Sequence, residues 1–217
     1  LILADIEVIE RKITSIEKKS KSGDKEAAYT KEFLQNLYSY LSEGSVARTF
    51  QGINDYAAVV KELNLLTAKP IMYVGNVLEE HSSSGNNHSQ ALMQYATSKN
   101  ITSLIISAKI EAEIALLTDE EEKTQFIDDL GLKETGLNRI IKAGYNLLNL
   151  QSYFTVGPKE ARAWTFEIGT LAPAAAGIIH TDFEKGFIRA EVINWKELLD
   201  CGSWSKARDA GKIKTVG

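Results

Sequence analysis

Two short stretches carry side chains suited to binding a polar ligand. In IMYVGNVLEE an apolar run stops at Asn76, and Glu79 follows three positions later. In ITSLIISAK a second apolar run stops at Ser107-Ala108-Lys109. An amide, a carboxylate, a hydroxyl and an ammonium at neighbouring strand ends would form a hydrogen-bonding site, because ligands of doubly wound sheets bind beyond the carboxyl ends of the strands. Taken singly, each stretch also reads as an ordinary turn.

Other chemistry-bearing residues lead less far. His180 stands beside Asp182 and Glu184. A His-Asp pair suits a general base, but no Ser or Cys nucleophile motif accompanies it, so a structural role within a helix is expected. His81 and His88 flank a loop rich in Ser, Asn and Gly, and their spacing, with no further Cys or His nearby, argues against a metal site. No catalytic residue and no metal ligand is assigned. The single cysteine, Cys201, excludes an internal disulfide and fits a reducing compartment. Trp164 is expected in the core of a strand, and Trp204, near Lys206 and Arg208, at the surface.

Three regions must position these residues. Residues 1–66 read as helical throughout. Ile2, Ile6, Ile9, Ile13 and Ile16 recur at steps of four and three, a seam for packing against another helix. Gly23 breaks the pattern, Asp24 is placed to cap a second helix carrying Leu34, Leu37 and Leu41, and a third is expected from about 54 to 63. Two helices joined by a short polar turn make an αα-hairpin. Its lysines, Lys18, Lys19, Lys21 and Lys25, could touch a polyanion, although composition favours a solvated turn.

Residues 67–149 alternate strand, helix, strand, helix, the rhythm of a parallel α/β sheet. The acidic run from Asp119 to Glu122 reads as a helix start. Residues 150–217 read as a small α+β module, with strands in YFTVG, ARAWTFEIG and FIRAEVIN. GPKE forms the turn between the first two, and one helix, opened by Pro173, covers PAAAGIIHTDFEKG.

Bulk composition narrows the function classes. The chain has 217 residues, 44% hydrophobic and 25% charged, which is ordinary for a soluble globular protein. A formal net charge of −4 gives no case for nucleic-acid binding driven by bulk charge, and no DNA partner is expected. No apolar run approaches the roughly 20 residues needed to cross a bilayer, so no membrane role is expected. The chain begins with Leu1 rather than Met, which suggests a fragment or processed product.

The two strand ends correspond to the places where GTPase-type P-loop NTPases carry their base-reading loops. There an Asn-Lys-x-Asp carboxylate pairs with the N1 and N2 groups of guanine, and a Ser-Ala-Lys backbone N–H contacts the base. Asn76-Val77-Leu78-Glu79 has neither that Lys nor that Asp, so guanine preference should be lost. The blocks KPIMYVGNVLE, ISAKIEAEIALL, GLNRIIKAGYNLLNLQSYFTVGPKEARAWTFEIG and AAGIIHTDFEKGFIRAEVINW resemble the YchF/Obg-like ATPase family, a branch of the translation-factor-related (TRAFAC-class) P-loop NTPases. The resemblance runs from LILADIEVIE to the ARDAGK segment.

That resemblance implies an α/β fold. Residues 1–66 would be the end of a switch-region helix and a helical coiled-coil arm. Residues 67–149 would be the remainder of a Ras-like nucleotide-binding domain, and 150–217 a ubiquitin-like β-grasp TGS domain, truncated at its far end. It also implies ATP in preference to GTP, with Asn76, Val77 and Glu79 on one side of the base and Ser107, Ala108 and Lys109 on the other. The implied partner is a ribosome or other translation-related RNA–protein assembly, held through the TGS domain and the arm in the cytoplasm. The family's G-x-x-x-x-G-K-[ST] loop occurs nowhere in these residues, and the ligands of the implied Mg2+ are absent from the chain. ATP hydrolysis to ADP and phosphate is therefore expected of the intact protein and negligible for this chain alone. The alternative is a non-catalytic TGS and coiled-coil module that binds ribosome, RNA or protein partners. A third, resting on periodicity alone, is a helical-arm interaction protein with no nucleotide role.

Overall fold

The computed structural model describes residues 1–157 and 159–217. It divides into two compact units, Leu1–Met72 and Tyr73–Gly217.

In the first unit the isoleucine seam lies on α1 (Ile2–Lys21), and Asp24 accepts from the Ala27 N–H at 3.1 Å to start α2 (Lys25–Ser42). Gly23 sits between them at φ +93°, a conformation that a Cβ would strain. Burying Ile9 of α1 against Phe33, Leu34, Leu37 and Leu41 of α2 removes their apolar surface from water, and Ala47 and Leu65 complete the interior. The region is not helical throughout. After α2 the chain makes two 3-10 turns, Ala47–Thr49 and Ile53–Tyr56, before α3 (Ala57–Leu63). Packing decides this: Tyr56 stacks on Phe33 with ring centroids 4.0 Å apart, and Phe50 meets the edge of the same ring at 5.9 Å.

Asp5 has a role that its place among surface charges does not suggest. It is 1% exposed. Its carboxylate accepts from the Leu66 N–H at 2.7 Å, the Thr67 N–H at 2.7 Å and the Thr67 hydroxyl at 2.6 Å. Thr67 Oγ1 in turn accepts from the Ala47 N–H at 3.0 Å. The base of α1 is thereby tied to the segment leading into the first strand.

The second unit opens with β1 (Met72–Asn76), whose first residue closes the preceding unit. Next come α4 (Asn87–Ser98), β2 (Thr102–Ile106), α5 (Ala108–Leu116), α6 (Glu120–Asp129) and α7 (Gly136–Leu147). Asn86 and Ser89 form a reciprocal capping box at α4, and Asp119 caps α6, as the acidic run suggested. β1 and β2 are hydrogen-bonded neighbours. The Val77 N–H donates to the Ile106 carbonyl at 2.9 Å, so both strands end side by side, as a strand–helix–strand crossover requires.

The remainder begins with β3 (Leu150–Val156) and β4 (Ala161–Glu167), an antiparallel hairpin with Tyr153 opposite Trp164. Pro158, in the expected GPKE turn, lies outside the described residues; the Gly157 N–H donates to the Glu160 carbonyl at 2.9 Å. The single helix expected over PAAAGIIHTDFEKG is two, α8 (Ala172–Gly177) and α9 (Thr181–Lys185). They separate at His180, which is extended at φ −162° and whose Nδ1 accepts from the Asp182 N–H at 3.2 Å. The histidine is thus a cap between helices rather than a residue within one.

The FIRAEVIN strand shortens to β5 (Ala190–Val192). It is followed by α10 (Trp195–Cys201), α11 (Trp204–Asp209) and β6 (Lys214–Val216), which pairs antiparallel with β5. Trp164 is half-buried rather than core. Its indole N–H donates to Thr155 at 2.9 Å, and the Arg162 guanidinium lies 4.2 Å over its ring. Trp204 is half-buried too, at the start of α11, not at the open surface. Among the described residues no helix is long and apolar enough to cross a membrane.

Candidate nucleotide-base site

The adjoining ends of β1 and β2 bring the six sequence-predicted residues together. Asn76 closes β1, and its Oδ1 accepts from the Ala108 N–H at 3.0 Å. With Oδ1 so engaged, the amide's two donors have no partner among the described residues. Val77 is half-buried, with its N–H committed to Ile106. Glu79 opens a 3-10 turn, Glu79–His81, and its Oε2 accepts from Lys109 Nζ at 2.8 Å. Glu113, one helical turn after Lys109, adds a second carboxylate at 3.7 Å. The hydrogen bond and charge of Glu79, followed by the charge of Glu113, raise the Lys109 ammonium above its ordinary pKa.

Ser107 is the residue out of balance. It is 3% exposed, yet its hydroxyl has no hydrogen-bond partner among the described residues. It also occupies the N-cap position of α5 without making the cap bond that a serine there usually makes. Buried hydroxyls are rarely left unpaired.

Sequence reasoning missed Glu111. This residue lies one turn into α5, and its carboxylate accepts from two successive backbone N–H groups at the start of α7. Those bonds run from Gly136 at 2.6 Å and Leu137 at 2.9 Å. Gly136 is tightly placed: a Cβ would come within 2.8 Å of Glu111 Oε1 and of Ile106 Cγ2. The available signal was a glycine opening a helix, GLNRIIKAG, without the residue it must approach.

The arrangement suits a flat heterocycle that carries both donors and acceptors. Asn76 supplies donors through its amide NH2. The Glu79 carboxylate is engaged by Lys109 through Oε2. Among the described residues no three His, Cys, Asp or Glu side chains converge on one point, so no metal step is assigned to these residues.

Residues 150–217 match the family model YchF-GTPase_C, described as a protein of unknown function (DUF933). The "Ribosome-binding ATPase YchF" of Bacillus subtilis (strain 168) is 45% identical over 219 residues, covering 100% of this chain and 60% of the relative. The protein of the same name from Escherichia coli O157:H7 is 42% identical over 217 residues, covering 100% of this chain and 59% of the relative. The solved structure of the Schizosaccharomyces pombe YchF GTPase superposes with a TM-score of 0.84 at 32% identity. It covers 100% of this chain and 59% of that one. This chain therefore spans about 60% of the length of the curated relatives it matches. Similarity over its full length, in sequence and in fold, supports one assignment: the chain belongs to the YchF/Obg-like family.

Proposed function

We propose that these residues hold the base-binding half of an ATP site in a ribosome-associated YchF-type ATPase, which hydrolyses ATP to ADP and phosphate in the intact protein. The single observation that carries this reading is the convergence of Asn76 on the Ser-Ala-Lys loop, through the 3.0 Å bond from the Ala108 N–H. The relatives' name, "Ribosome-binding ATPase YchF", supplies the nucleotide and the partner. Adenine is favoured over guanine because Asn76-Val77-Leu78-Glu79 lacks both the Lys and the Asp of a guanine-reading Asn-Lys-x-Asp loop. In this reading residues 1–66 form the helical arm, 67–149 the nucleotide-binding part and 150–217 the TGS domain, in the cytoplasm. The phosphate-binding loop and the Mg2+ ligands come from outside these 217 residues. Bound there, Mg2+ would neutralise charge on the transferring phosphoryl group.

The test is nucleotide preference in the full-length protein. Asn76→Ala and Glu79→Ala are each expected to shift the ratio of ATP to GTP affinity by roughly tenfold, the first by removing the bond that holds the Ala108 N–H and the second by releasing Lys109. An unchanged ratio in both variants removes the base-loop assignment.

The non-catalytic alternative has its own supporting feature. Lys18, Lys19, Lys21 and Lys25 are all exposed around the turn between α1 and α2. A polyanion contact there predicts ribosome cosedimentation that weakens when these lysines become alanines, with a shallower salt dependence, whether or not nucleotide binds.

A further inference from the structure

We propose that Glu111 is the positioning residue of the base loop, holding Ser107, Ala108 and Lys109 in place by pinning α5 to the first turn of α7. The inference rests on the base-site reading above and extends it to a residue outside the loop itself.

Three observations meet at this carboxylate. First, α5 begins within the loop, and its own N-cap does not anchor it: Ser107 makes no side-chain cap bond and its buried hydroxyl has no partner among the described residues. The first turn is held instead by Asn76, through the Ala108 N–H, and by whatever fixes the helix further along. Second, the Glu111 N–H donates to the Ser107 carbonyl at 3.1 Å, so Glu111 and the loop share one helical turn. A shift of Glu111 along the helix axis is passed to Ser107. Third, both Glu111 oxygens are occupied by backbone N–H groups, Gly136 at 2.6 Å and Leu137 at 2.9 Å. A carboxylate in that position bonds two otherwise unsatisfied donors and faces the positive end of α7, a 12-residue helix with its own Thr135 cap. A two-point bond fixes direction as well as distance.

The geometry leaves little tolerance. Glutamine in place of Glu111 has one acceptor, and its NH2 would face an N–H donor. Aspartate is one methylene shorter and keeps at most part of the bond. From the other side, Gly136 is where a side chain would push the carboxylate away, with a Cβ 2.8 Å from Glu111 Oε1. The glycine and the glutamate therefore form one device.

Two measurements test it. In this chain, amide exchange followed by NMR at Ala108 is expected to become about tenfold faster in Glu111→Gln and in Gly136→Ala, and less so in Glu111→Asp, as the local opening becomes easier. Asp119→Ala is the control: it strips the cap of α6, lowers Tm and leaves Ala108 exchange unchanged. In the full-length protein, Glu111→Gln is expected to weaken ATP binding about tenfold and to lower the ratio of ATP to GTP affinity, neither of which the control does.

Ala108 exchange unchanged in both Glu111→Gln and Gly136→Ala overturns the proposal. Faster exchange with nucleotide affinity and preference intact overturns it too, since the loop would then not need this anchor to bind. If the unsubstituted full-length protein shows no adenine preference, the base-site reading fails by itself, and Ala108 exchange still decides whether Glu111 holds the loop.

Discussion

In the unit Leu1–Met72 the apolar side chains share one contiguous interior: Ile9, Phe33, Leu34, Leu37, Leu41, Ala47 and Leu65 are all buried together. Across Tyr73–Gly217, the longer unit, the buried apolar side chains among the described residues are Ala96, Ile110, Ile114 and Ala207. Several larger apolar groups there are open to solvent, including Leu116 at 81% and Ile188 at 84%. Directional bonds hold the key positions of this second unit instead: Asn76 to Ala108, Glu111 to Gly136 and Leu137, and caps at α4, α6 and α7. The two units teach different lessons about robustness. Apolar burial is spread over many atoms and tolerates small displacements, whereas a two-point hydrogen bond fails when its geometry fails. A site that must hold a ligand in one orientation gains from the second kind.

The comparison breaks if equivalent truncations cost the same in both units. Leu37→Ala, at a position with no exposure, is expected to lower unfolding stability by about 4 kcal/mol, the upper part of the range for a buried leucine whose neighbours cannot collapse inward. Ile110→Ala, at 1% exposure but in a thinner interior, is expected to cost about 2.5 kcal/mol, because the surroundings can relax toward solvent. Urea unfolding of both variants, with the m-value checked for each transition, measures the difference. Equal losses would mean that the second interior is as unyielding as the first.

Asp5 is the place where the first unit behaves like the second. Two of its three accepted bonds are buried and the third is partly buried, so Asp5→Asn removes the charge and sets an NH2 against backbone donors. The expected loss is about 3 kcal/mol, less than for Leu37→Ala because one acceptor survives. Asp5→Asn should also speed amide exchange at Leu66 and Thr67 before it affects α2. A uniform change over the whole unit would show that the aspartate is no local clasp.

These two carboxylates also mark where sequence reading stopped. The isoleucine seam of α1, the Asp24 cap and the apolar runs of β1 and β2 were legible because helix period, cap chemistry and strand length leave local traces. So was the pairing of Asn76 with Ser107-Ala108-Lys109, since both loops follow a strand. Asp5 and its acceptor role at Leu66 and Thr67 are separated by about sixty residues, and Glu111 and Gly136 by 25. Such bonds follow no period and leave no pattern in either segment. The helices α10 and α11, seven and six residues long, are too short to show a stripe. The split at His180 arises from one extended residue inside an alanine-rich stretch that otherwise favours helix.

The smallest effect expected is also the one that separates the units by pH. In the α1–α2 hairpin Glu17 lies 3.0 Å from Lys21 and 3.5 Å from Lys31. The hydrogen bond and charge of Lys21, then of Lys31, hold its carboxyl below the ordinary glutamate value. A carboxyl depressed in the folded state contributes stability above its unfolded pKa, and that contribution is lost as pH falls through the folded value, below the ordinary glutamate range. Lys109 works in the opposite direction. Its ammonium is raised, so its contribution is present below the unfolded lysine value and is lost as pH climbs past about 10.4. Both groups are solvent-exposed, so each change is a slope rather than a transition and is screened by salt. NMR titration of the Glu17 side-chain carbon should give a midpoint below that of a free glutamate, and Lys21→Ala should move it back toward the ordinary value. Stability followed against pH should lose its acid-side slope in part in Glu17→Gln, and its alkaline-side slope in part in Lys109→Met. A Glu17 midpoint at the ordinary value would mean that the ion pairs of the α1–α2 hairpin are not formed in solution, leaving its stability to the buried seam alone.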